Sequence, residues 1–323
     1  TIDRIVFSWD WKNYGPEEAK KFETSRFLLD KFFPKKYFNY KKKPNIAFVE
    51  HHLAHASSTF RCSGFKDAAI LVIDGQGEYC SSSIWLGEKD GTIQHIWNND
   101  IENSLGFFYS AACRYIGMDN GDEGKLMGLA PYGKPKESLI KEFSQFKPQL
   151  DSRDLLRRDG QMKPIIRQWL EFFERKFGPI DKTKVLFDNF TGHIKKEVNF
   201  TKFQKEFAAS AQKFLELEVL KLVKKALKLT GKNRLCLSGG VAMNCIVNSR
   251  ILEEGLLKEI YVQPASNDAG TAIGAALEIS SHLEKKQFNR LNNIYLGPSF
   301  TNSEIKNILD NYKLAAYRLH GQP

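Results

Sequence analysis

The chain has 323 residues, of which 42% are hydrophobic and 27% are charged, and its formal net charge is +10. This length predicts one large domain or two modest ones, and the composition excludes a disordered, collagen-like or low-complexity chain. The longest uninterrupted apolar run covers residues 68–73, far short of the ~20 residues that span a bilayer, so we expect no membrane partner.

The N-terminus and the cysteines bear on where the protein works. The chain starts without an initiator Met, which indicates that upstream residues have been lost, and without the basic and apolar regions of a signal peptide. The five cysteines, at positions 62, 80, 113, 236 and 245, form no Cys-x-x-Cys pair. An odd, unclustered set fits reduced thiols, so the sequence predicts a cytoplasmic protein.

Part of the positive charge lies near the N-terminus, at Lys35–Lys36 and Lys41–Lys43. Such runs raise the question of polyanionic partners, but these lack the interleaved Arg and aromatic residues of nucleic-acid modules. We therefore interpret them as a solvated basic linker and disfavour nucleic acid as a partner. Attraction of phosphorylated small molecules remains an alternative.

Hydrophobic spacing predicts strands that alternate with helices along the chain. The expected strands are residues 46–49, 68–74, 81–86, 234–237 and 260–263. The expected helices are residues 16–33, 51–60, 104–117, 203–229, one that starts near Val241, and 269–283. Residues 134–200 are charged, aromatic and without a clean period, which indicates a helical insertion with loops. The alternation predicts a layered α/β domain.

The sharpest local feature is a histidine cluster at His51, His52 and His55. On a helix, His51 and His55 stand four residues apart, so both imidazoles project from one face, as a single metal ion requires. His52 points roughly 100° away from that pair. No Glu occupies the second position of a His-Glu-x-x-His motif, which disfavours a zincin-type protease. The alternative is a pair of surface or capping histidines.

Two histidines need a further ligand, and Asp268 is the best candidate. It follows a predicted strand and precedes the small-residue helix, where the role of helix N-cap is the favoured interpretation from spacing alone. A second carboxylate, Asp74, also ends a strand. Two His and one Asp leave coordination positions open and suit Fe2+ or a similar divalent ion that acts as a Lewis acid.

Three glycine-rich segments form a second theme, at residues 74–78, 121–128 and 238–244. The first lies between two predicted strands, and the last lies between a strand and a helix. Backbone amides in such turns approach phosphates closely. None of the three is a Walker A loop or a dinucleotide-binding motif, and each alone is explained as well by an ordinary turn.

Taken in order, five motifs resemble those of the O-carbamoyltransferases of nodulation-factor and antibiotic biosynthesis. The motifs cover residues 51–56, 74–78, 123–133, 238–244 and 268–274. The metal domain of that family is similar to that of the tRNA threonylcarbamoyladenosine synthase subunit and of the hydrogenase maturation carbamoyltransferase. The resemblance implies an α/β fold of the actin, sugar kinase and chaperone-ATPase type, with mixed sheets flanked by helices.

The resemblance also implies a two-stage reaction. A C-terminal domain makes carbamoyl-adenylate from carbamoyl phosphate and ATP, and the metal-bearing domain passes the carbamoyl group to a hydroxyl of a sugar or antibiotic-like acceptor. The implied cofactors are ATP or carbamoyl-adenylate and a divalent ion, with Fe2+ first and Zn2+ or Mn2+ as alternatives. The implied partners are the small-molecule acceptor and carbamoyl phosphate. The oligomeric state, a homodimer included, stays open.

The family motifs also assign roles to individual residues. The implied metal ligands are His51, His55, Asp268 and Asp74. The implied nucleotide-binding residues are Gly75, Gly77, Glu123, Ser238, Gly239, Gly240 and Asn244, of which Asn244 either fixes the adenosine or caps the strand–helix turn. The implied catalytic residues are Asp74, Glu78, Asp122 and Lys125. Lys125 is a phosphate counter-charge, a surface lysine or a partner of Glu123.

The chain departs from the family pattern at both ends. It shows no match to the first phosphate hairpin of the family and stops before an adenylate-forming domain. We therefore expect a fragment in which residues 1–295 form the metal- and nucleotide-binding domain, with a family-variable helical insertion at 134–200. Residues 296–323 are then a linker or the start of the missing domain. We expect that this chain does not make carbamoyl-adenylate unaided.

Two other function classes compete with the O-carbamoyltransferase. One is a tRNA threonylcarbamoyl-transferase, but the loop at residues 74–78 replaces the Ser-Gly-Gly-Asn-Thr type of that enzyme, and the metal motif carries a doubled histidine. The other is a non-catalytic nucleotide-binding module, which has no need of a divalent ion held by His51 and His55. Metal analysis distinguishes that module from the transferase.

Overall fold

The computed structural model describes residues 2–10, 30–38, 43–150, 163–179, 200–284 and 290–312. Its strands are β1 Arg4–Phe7, β2 Asn45–Phe48, β3 Ala68–Ile73, β4 Ser82–Gly87, β5 Ile93–Asn99, β6 Arg234–Ser238 and β7 Glu259–Val262. Its α-helices are α1 His51–Ser63, α2 Leu105–Tyr115, α3 Glu123–Leu129, α4 Glu137–Gln145, α5 Pro164–Phe177, α6 Lys202–Thr230, α7 Cys245–Glu253, α8 Thr271–Glu284 and α9 Asn302–Asn311. Most of the helix predicted at 16–33 lies outside the described residues.

A five-stranded mixed sheet has the order β5-β4-β3-β6-β7. β3, β4 and β5 are antiparallel neighbours, whereas β6 and β7 continue the sheet from β3 in parallel. Val72 near the end of β3 pairs with Ser238 at the end of β6, so the segments that follow these two strands leave the sheet at the same edge. Helices pack against the sheet, which confirms the predicted α/β class with a mixed sheet flanked by helices.

β3 is central because its sequence, Ala-Ala-Ile-Leu-Val-Ile, suits burial on both faces, and all six residues are buried. Ala69, Leu71 and Ile73 belong to the main hydrophobic core, which α6 also lines. α1 packs against β3 and β6 and is itself contacted by α8. Two strands escape sequence prediction, because β1 has only four residues and most of β5 is exposed or half-buried.

The segment predicted as a helical insertion contributes to the main core. α4 and α5 bury Phe143, Trp169 and Phe173. Edge-to-face contacts join them to other elements, with ring centroids 5.0 Å apart for Phe108 and Trp169 and 5.3 Å apart for Phe143 and Phe207. Such ring pairs add to the stability that apolar burial provides. The described part of this segment is therefore integral to the core, while its variability within the family stays a prediction.

The chain divides into two compact units, Thr1–Arg290 and Leu291–Pro323. The second unit contains α9, whose first turn is fixed by a capping box between Thr301 and Glu304. Among the described helices, none combines the length and the apolarity that crossing a membrane requires. The functional roles predicted for residues 1–295 and 296–323 stay predictions.

α8 approaches α1 closely at Gly274, where an added Cβ atom would lie 1.8 Å from the carbonyl oxygen of Ala54. We expect Gly274→Ala to lower the free energy of unfolding by about 1–3 kcal/mol or more, because one helix has to shift. Gly128→Ala in α3 is the control, since no described atom lies within 4 Å of its added Cβ. Urea unfolding followed by circular dichroism measures both variants, and equal losses would contradict the close approach.

Candidate metal centre and adjoining cavity

α1 begins at His51 because two carboxylates cap its first turn. Glu50 accepts a hydrogen bond from the backbone amide of His52 at 3.2 Å. Both oxygens of Glu78 lie 3.0 Å from the backbone nitrogen of His51, and Oε1 also accepts from the amide of Asp10 at 2.9 Å. The Glu78 carboxylate is thus engaged by backbone amides at the start of α1, and its predicted catalytic role stays a prediction.

His51 and His55 lie on one face of α1, as the four-residue spacing predicts. Their ring centroids are 4.7 Å apart. The ring of His52 points elsewhere, with its Nδ1 2.8 Å from Ser83 Oγ in β4, and burial lowers the pKa of His52 to about 3. His52 is therefore a neutral core residue, whereas His51 and His55 are available to a shared site.

Two carboxylates complete the cluster. Asp74 directly follows β3, and Asp268 opens the 3-10 turn Asp268–Gly270 after β7. Asp74 Oδ2 lies 3.2 Å from His51 Nε2 and 3.5 Å from His55 Nε2, and Asp268 Oδ1 lies 3.6 Å from each of these nitrogens. The four potential ligand atoms lie within 4.8 Å of one another. The structure thus brings together the four residues that the sequence proposed as metal ligands.

Asp268 differs from the other three residues in its exposure. Its side chain is 73% exposed, whereas the other three residues are buried. The cap of the turn is Asn267, whose Oδ1 accepts a hydrogen bond from the amide of Ala269 at 3.2 Å. The N-cap role that spacing alone favours for Asp268 is therefore wrong, because the preceding residue fills it. The Asp268 carboxylate faces the two imidazoles from the solvent side.

Opposite charges stabilise one another in this cluster. Burial lowers the pKa of His51, but hydrogen bonding to Asp268 and Asp74 outweighs burial and raises that pKa to about 10. Burial raises the pKa of Asp74, but the two imidazoles outweigh it and hold that pKa well below its usual value. Each charge is tolerated only because its counter-charge is adjacent. In place of the protons on the imidazoles, a divalent cation would also neutralise the two carboxylates, since metal ions displace protons from their ligands.

Hydrogen bonds to the Nδ1 atoms orient both Nε2 atoms toward the carboxylates. His51 Nδ1 lies 3.2 Å from the backbone oxygen of Ser8, which can only accept, so Nδ1 carries the proton. His55 Nδ1 lies 3.2 Å from Ser238 Oγ. His55 Nε2 is buried and makes no hydrogen bond within the described residues. A buried nitrogen without a hydrogen bond, 3.5 Å from Asp74 Oδ2 and 3.6 Å from Asp268 Oδ1, fits a divalent metal ion.

β1, which the sequence analysis missed, brings two residues to the cluster. Ser8 supplies the carbonyl oxygen that holds His51, and the ring centroid of Trp9 lies 4.5 Å from that of His51. β1 pairs in parallel with β2, which runs directly into α1. The two short strands therefore place the end of β1 beside the start of the histidine helix. A four-residue apolar strand in a charged segment gives little signal in the sequence.

Backbone amides of two glycine-rich turns hold Asp74. Its Oδ1 accepts hydrogen bonds from the amides of Gly75 at 2.8 Å and Gly240 at 3.2 Å. Gly239 permits this approach, since its φ is +93° and an added Cβ would lie 2.3 Å from the carbonyl oxygen of Ile73. Only glycine fits at this position without moving β3. The turns after β3 and β6 therefore fix the orientation of one potential metal ligand.

The four glycines predicted to support phosphate oxygens donate their amides within the protein. Gly75 and Gly240 donate to Asp74, and Gly77 and Gly239 donate to backbone carbonyl groups at 2.7 and 2.9 Å. Gly77 also lies against the His52 ring, because a Cβ atom added to Gly77 would lie 2.6 Å from Cδ2 of His52. Phosphate binding through these amides stays a prediction, and the contacts described here explain the glycines by close packing.

A cavity of about 520 Å³ adjoins the cluster at Asp74. Five of the predicted site residues line it, namely Asp74, Gly75, Glu123, Gly240 and Asn244. The remaining wall is largely apolar and includes Phe107, Met127, Leu215, Val241 and Met243. Ser238 is not a lining residue, because its hydroxyl is directed to His55. The cavity is therefore an apolar space with a few polar groups at one side, as small-molecule sites commonly are.

α2 forms one wall of this cavity. The sequence predicts this helix but assigns no site residue to it. α2 contributes Gly106, Phe107, Tyr109 and Ser110. The N-cap residue Ser104 donates a hydrogen bond to the carbonyl oxygen of Gly75 at 2.6 Å, and a Cβ on Gly106 would lie 2.8 Å from the Cα of Gly75. The available signal was the Ser-Leu-Gly start of α2, since a glycine inside a first helical turn marks a close backbone approach.

Three predicted residues around the start of α3 make different contacts. Lys125 Nζ lies 2.6 Å from Asp122 Oδ1, so Lys125 forms an ion pair with Asp122. Glu123 Oε1 accepts a hydrogen bond from Ser110 Oγ at 2.5 Å, and Glu123 lines the cavity. Glu123 is therefore positioned to meet a ligand, while the predicted catalytic roles of Asp122 and Lys125 stay predictions.

The five cysteines, all within the described part of the chain, form no disulfide, as the sequence predicted. Four of them are buried, and Cys245 at the start of α7 is exposed. Cys245 Sγ lies 3.9 Å from Sδ of Met127, one of the residues that line the cavity. α3 and α7 therefore contact each other beside the cavity.

Residues 12–277 match the family described as the carbamoyltransferase N-terminus. Nodulation protein NolO of Bradyrhizobium diazoefficiens is 38% identical over 258 residues, which cover 79% of this chain and 43% of that protein. Nodulation protein NolNO of Sinorhizobium fredii is 37% identical over 257 residues, which cover 78% of this chain and 34% of that protein. The chain thus spans less than half the length of these curated relatives.

Among solved structures, full-length HypF in its phosphate- and nucleotide-bound form aligns with 84% of this chain and 50% of its own, at 15% identity and a TM-score of 0.39. HypF of T. kodakarensis aligns with 75% of this chain and 37% of its own, at 13% identity and a TM-score of 0.38. The family match covers most of the chain, and the nodulation proteins share more than a third of the aligned residues with it. The chain belongs to the carbamoyltransferase family and corresponds to its N-terminal part.

Proposed function

We propose that this chain transfers a carbamoyl group from carbamoyl-adenylate to a hydroxyl of a sugar or antibiotic-like acceptor. The observation that carries the proposal is the convergence of His51, His55, Asp74 and Asp268 beside a cavity of about 520 Å³. Family membership supports the carbamoyl group as the group transferred. Because the aligned residues cover less than half of these relatives, we assign only the transfer step to this chain. We infer that a C-terminal adenylate-forming domain makes carbamoyl-adenylate from carbamoyl phosphate and ATP.

The donor set supports a divalent ion at the cluster. Two imidazole nitrogens and two carboxylate oxygens suit Fe2+ first, with Zn2+ and Mn2+ as alternatives. When bound, such an ion supplies Lewis-acid polarisation of a carbonyl or phosphate oxygen. The residues of the chain hold the ligands ready, because Ser8 and Ser238 fix the two imidazoles and two backbone amides fix Asp74. Ligands that are aligned beforehand need no rearrangement when the ion arrives.

The cavity suits the nucleotide part of carbamoyl-adenylate. Its largely apolar walls, which include Phe107, Val241 and Met243, would limit the contact of a bound mixed anhydride with water and so slow its hydrolysis. Ser110 binds one carboxylate oxygen of Glu123, and the other would accept hydrogen bonds from the hydroxyl groups of a ribose. A nucleotide in this cavity would direct its phosphate toward Asp74, where the cavity meets the cluster.

Removal of one imidazole tests the metal centre and the transfer step together. We expect His55→Ala to lose the bound metal and to slow AMP release from supplied carbamoyl-adenylate by at least about 100-fold, because the charge that develops during transfer is no longer stabilised. His95→Ala is the matched control, since His95 lies on β5 and contacts Trp85 and Asn98 instead of the cluster. Metal analysis and an AMP-release assay over a panel of sugars measure both effects.

Retention of stoichiometric metal and of full transfer activity in His55→Ala would rule out the ligand assignment. Loss of metal with unchanged AMP release would separate the two parts of the proposal and leave the metal without a role in transfer. A wild-type chain that binds nucleotide but neither metal nor acceptor would point instead to the non-catalytic nucleotide-binding module.

The hydroxyl of Ser238 should matter for metal affinity, because it holds Nδ1 of His55 and so directs Nε2 to the cluster. We expect Ser238→Ala to weaken metal binding by about 10–100-fold, the usual effect of losing a group that orients a ligand. Ser83→Ala is the control, because Ser83 makes the same kind of contact with His52, which is outside the cluster. Competition with a chelator gives both affinities, and equal affinities for the two variants would show that Ser238 does not orient a ligand.

A further inference from the structure

Three buried polar side chains form a bridge behind one wall of the cavity. They are Tyr109 on α2, Gln212 on α6 and Asn244 at the start of α7, and they are 5%, 3% and 8% exposed. Tyr109 and Asn244 line the cavity, whereas Gln212 does not. A buried amide between two lining residues influences the site through its neighbours.

Gln212 uses both ends of its amide in this bridge. Its Oε1 accepts a hydrogen bond from Tyr109 Oη at 2.7 Å and from Asn244 Nδ2 at 2.9 Å. Its Nε2 donates to Asn244 Oδ1 at 3.1 Å and to Glu216 Oε1 at 3.4 Å. Gln212 and Asn244 thus form a reciprocal pair of amides, and Tyr109 is tied to the same oxygen. Buried polar groups this fully paired define one arrangement of the surrounding elements, because any other arrangement leaves a polar group without a partner.

Asn244 is committed to this arrangement at a second point. Its Oδ1 also accepts a hydrogen bond from the amide of Val247 at 3.0 Å, which caps α7. Both lone pairs of that oxygen are therefore used within the protein. Of the two alternatives for Asn244, the cap of the strand–helix turn is the one that the structure shows. Asn244 contributes to the cavity mainly as a fixed piece of its wall.

The same turn reaches the metal cluster at its other end. Gly240 donates its amide to Asp74 Oδ1, and the short helix Gly240–Met243 leads from there to Asn244. Val241 and Met243 of this helix line the cavity. The turn is thus held at Asp74 on one side and at Gln212 on the other. Movement of either end would change the width of the cavity between this turn and α2.

We propose that Gln212 is a positioning residue, which sets the distance between the two cavity walls at Tyr109 and Asn244 and so determines the affinity for the nucleotide part of the substrate. This inference rests on the proposed function, because it takes the cavity to be the nucleotide site. It assigns to α6, which carries no family motif, an influence on substrate binding. Gln212 acts through Tyr109 and Asn244 and touches neither substrate nor metal.

Substitution of each partner of the amide pair tests the inference. Gln212→Met keeps the length of the side chain and removes the amide oxygen and the amide nitrogen. Asn244→Ser keeps a side chain that caps helices well but is too short to reach Gln212. Gln263→Met is the matched control, because Gln263 is also a buried glutamine that donates to a backbone carbonyl group, that of Ser58, and does not line the cavity. Calorimetry with AMP on the metal-loaded chain gives the dissociation constants, at a temperature where circular dichroism shows each variant folded.

We expect Gln212→Met and Asn244→Ser each to weaken AMP binding by about tenfold, because polar groups in the wall lose their partners and the walls shift. The affinity of the double variant for AMP should be no lower than that of the single variant with the lower affinity, since both changes break the same pair of hydrogen bonds. Metal content should stay at the wild-type level, because the amide of Gly75 still holds Asp74. In the transfer assay, KM for carbamoyl-adenylate should rise while kcat stays within about twofold. Gln263→Met should lower thermal stability and leave AMP affinity unchanged.

Wild-type affinity for AMP in folded Gln212→Met would overturn the inference, as would single-variant effects that multiply in the double variant. Should Gln212→Met fail to fold, Asn244→Ser alone tests the inference. An unchanged AMP affinity of that variant would show that the amide pair does not set the distance between the cavity walls. A wild-type chain that binds no AMP would overturn the proposed function and this inference together. A wild-type chain that binds AMP, with unaffected variants, overturns this inference alone.

Discussion

The site depends on the mutual neutralisation of two imidazoles and two carboxylates at the edge of a sheet. His51, His55 and Asp74 are buried, and an uncompensated charge at such a position costs several kcal/mol. The groups are therefore stable only as a set, with either a proton or a cation among them. Carboxylates at the start of α1 and amides on Asp74 fix the positions of this set. The surrounding structure can be understood as the framework that keeps these four groups together.

Backbone proximity provides that framework. Gly239 lets the turn after β6 pass over the end of β3, and Gly106 lets the start of α2 rest on Gly75. The same contacts place Asp74 both in the cluster and on the cavity wall. A ligand in the cavity would therefore touch Asp74, which also belongs to the cluster of potential metal ligands. Under the proposed function this proximity is useful, because the AMP that leaves and the carbamoyl group that is transferred belong to one molecule.

The sequence predicts much of the cluster of potential metal ligands and of the sheet, for identifiable reasons. His51 and His55 stand out because helical spacing alone places them on one face, and Asp74 stands out because it ends an apolar strand. Asp268 is different: it is the best candidate for a further ligand, but spacing alone favours a helix cap, and the resemblance to a family favours the ligand. Its neighbour Asn267 fills the capping role in the structure. Two adjacent residues that both suit a cap cannot be told apart without coordinates.

Other features lay beyond sequence reasoning because they depend on contacts between distant residues. Ser8 and Trp9 reach His51 from a strand too short to be recognised. Gln212 lies within a long amphipathic helix, where a single polar residue on the buried side gives no sign of its partners. The aromatic residues of α4 and α5 have no clean period, yet their rings pack into the main core. Periodicity identifies which face of a single helix or strand is buried. The contacts of these residues depend instead on which elements pack against each other.

The solitary solvent-accessible thiol of this chain has a practical consequence. Cys245 is exposed beside Met127, and the other cysteines are buried. Thiolate chemistry is governed by access as well as by pKa, so a maleimide dye would attach to the native chain at one defined place. Cys245 adjoins the cavity, so the fluorescence of the attached dye would report when a ligand occupies the cavity. The wild-type molecule thus carries its own attachment point for an optical probe.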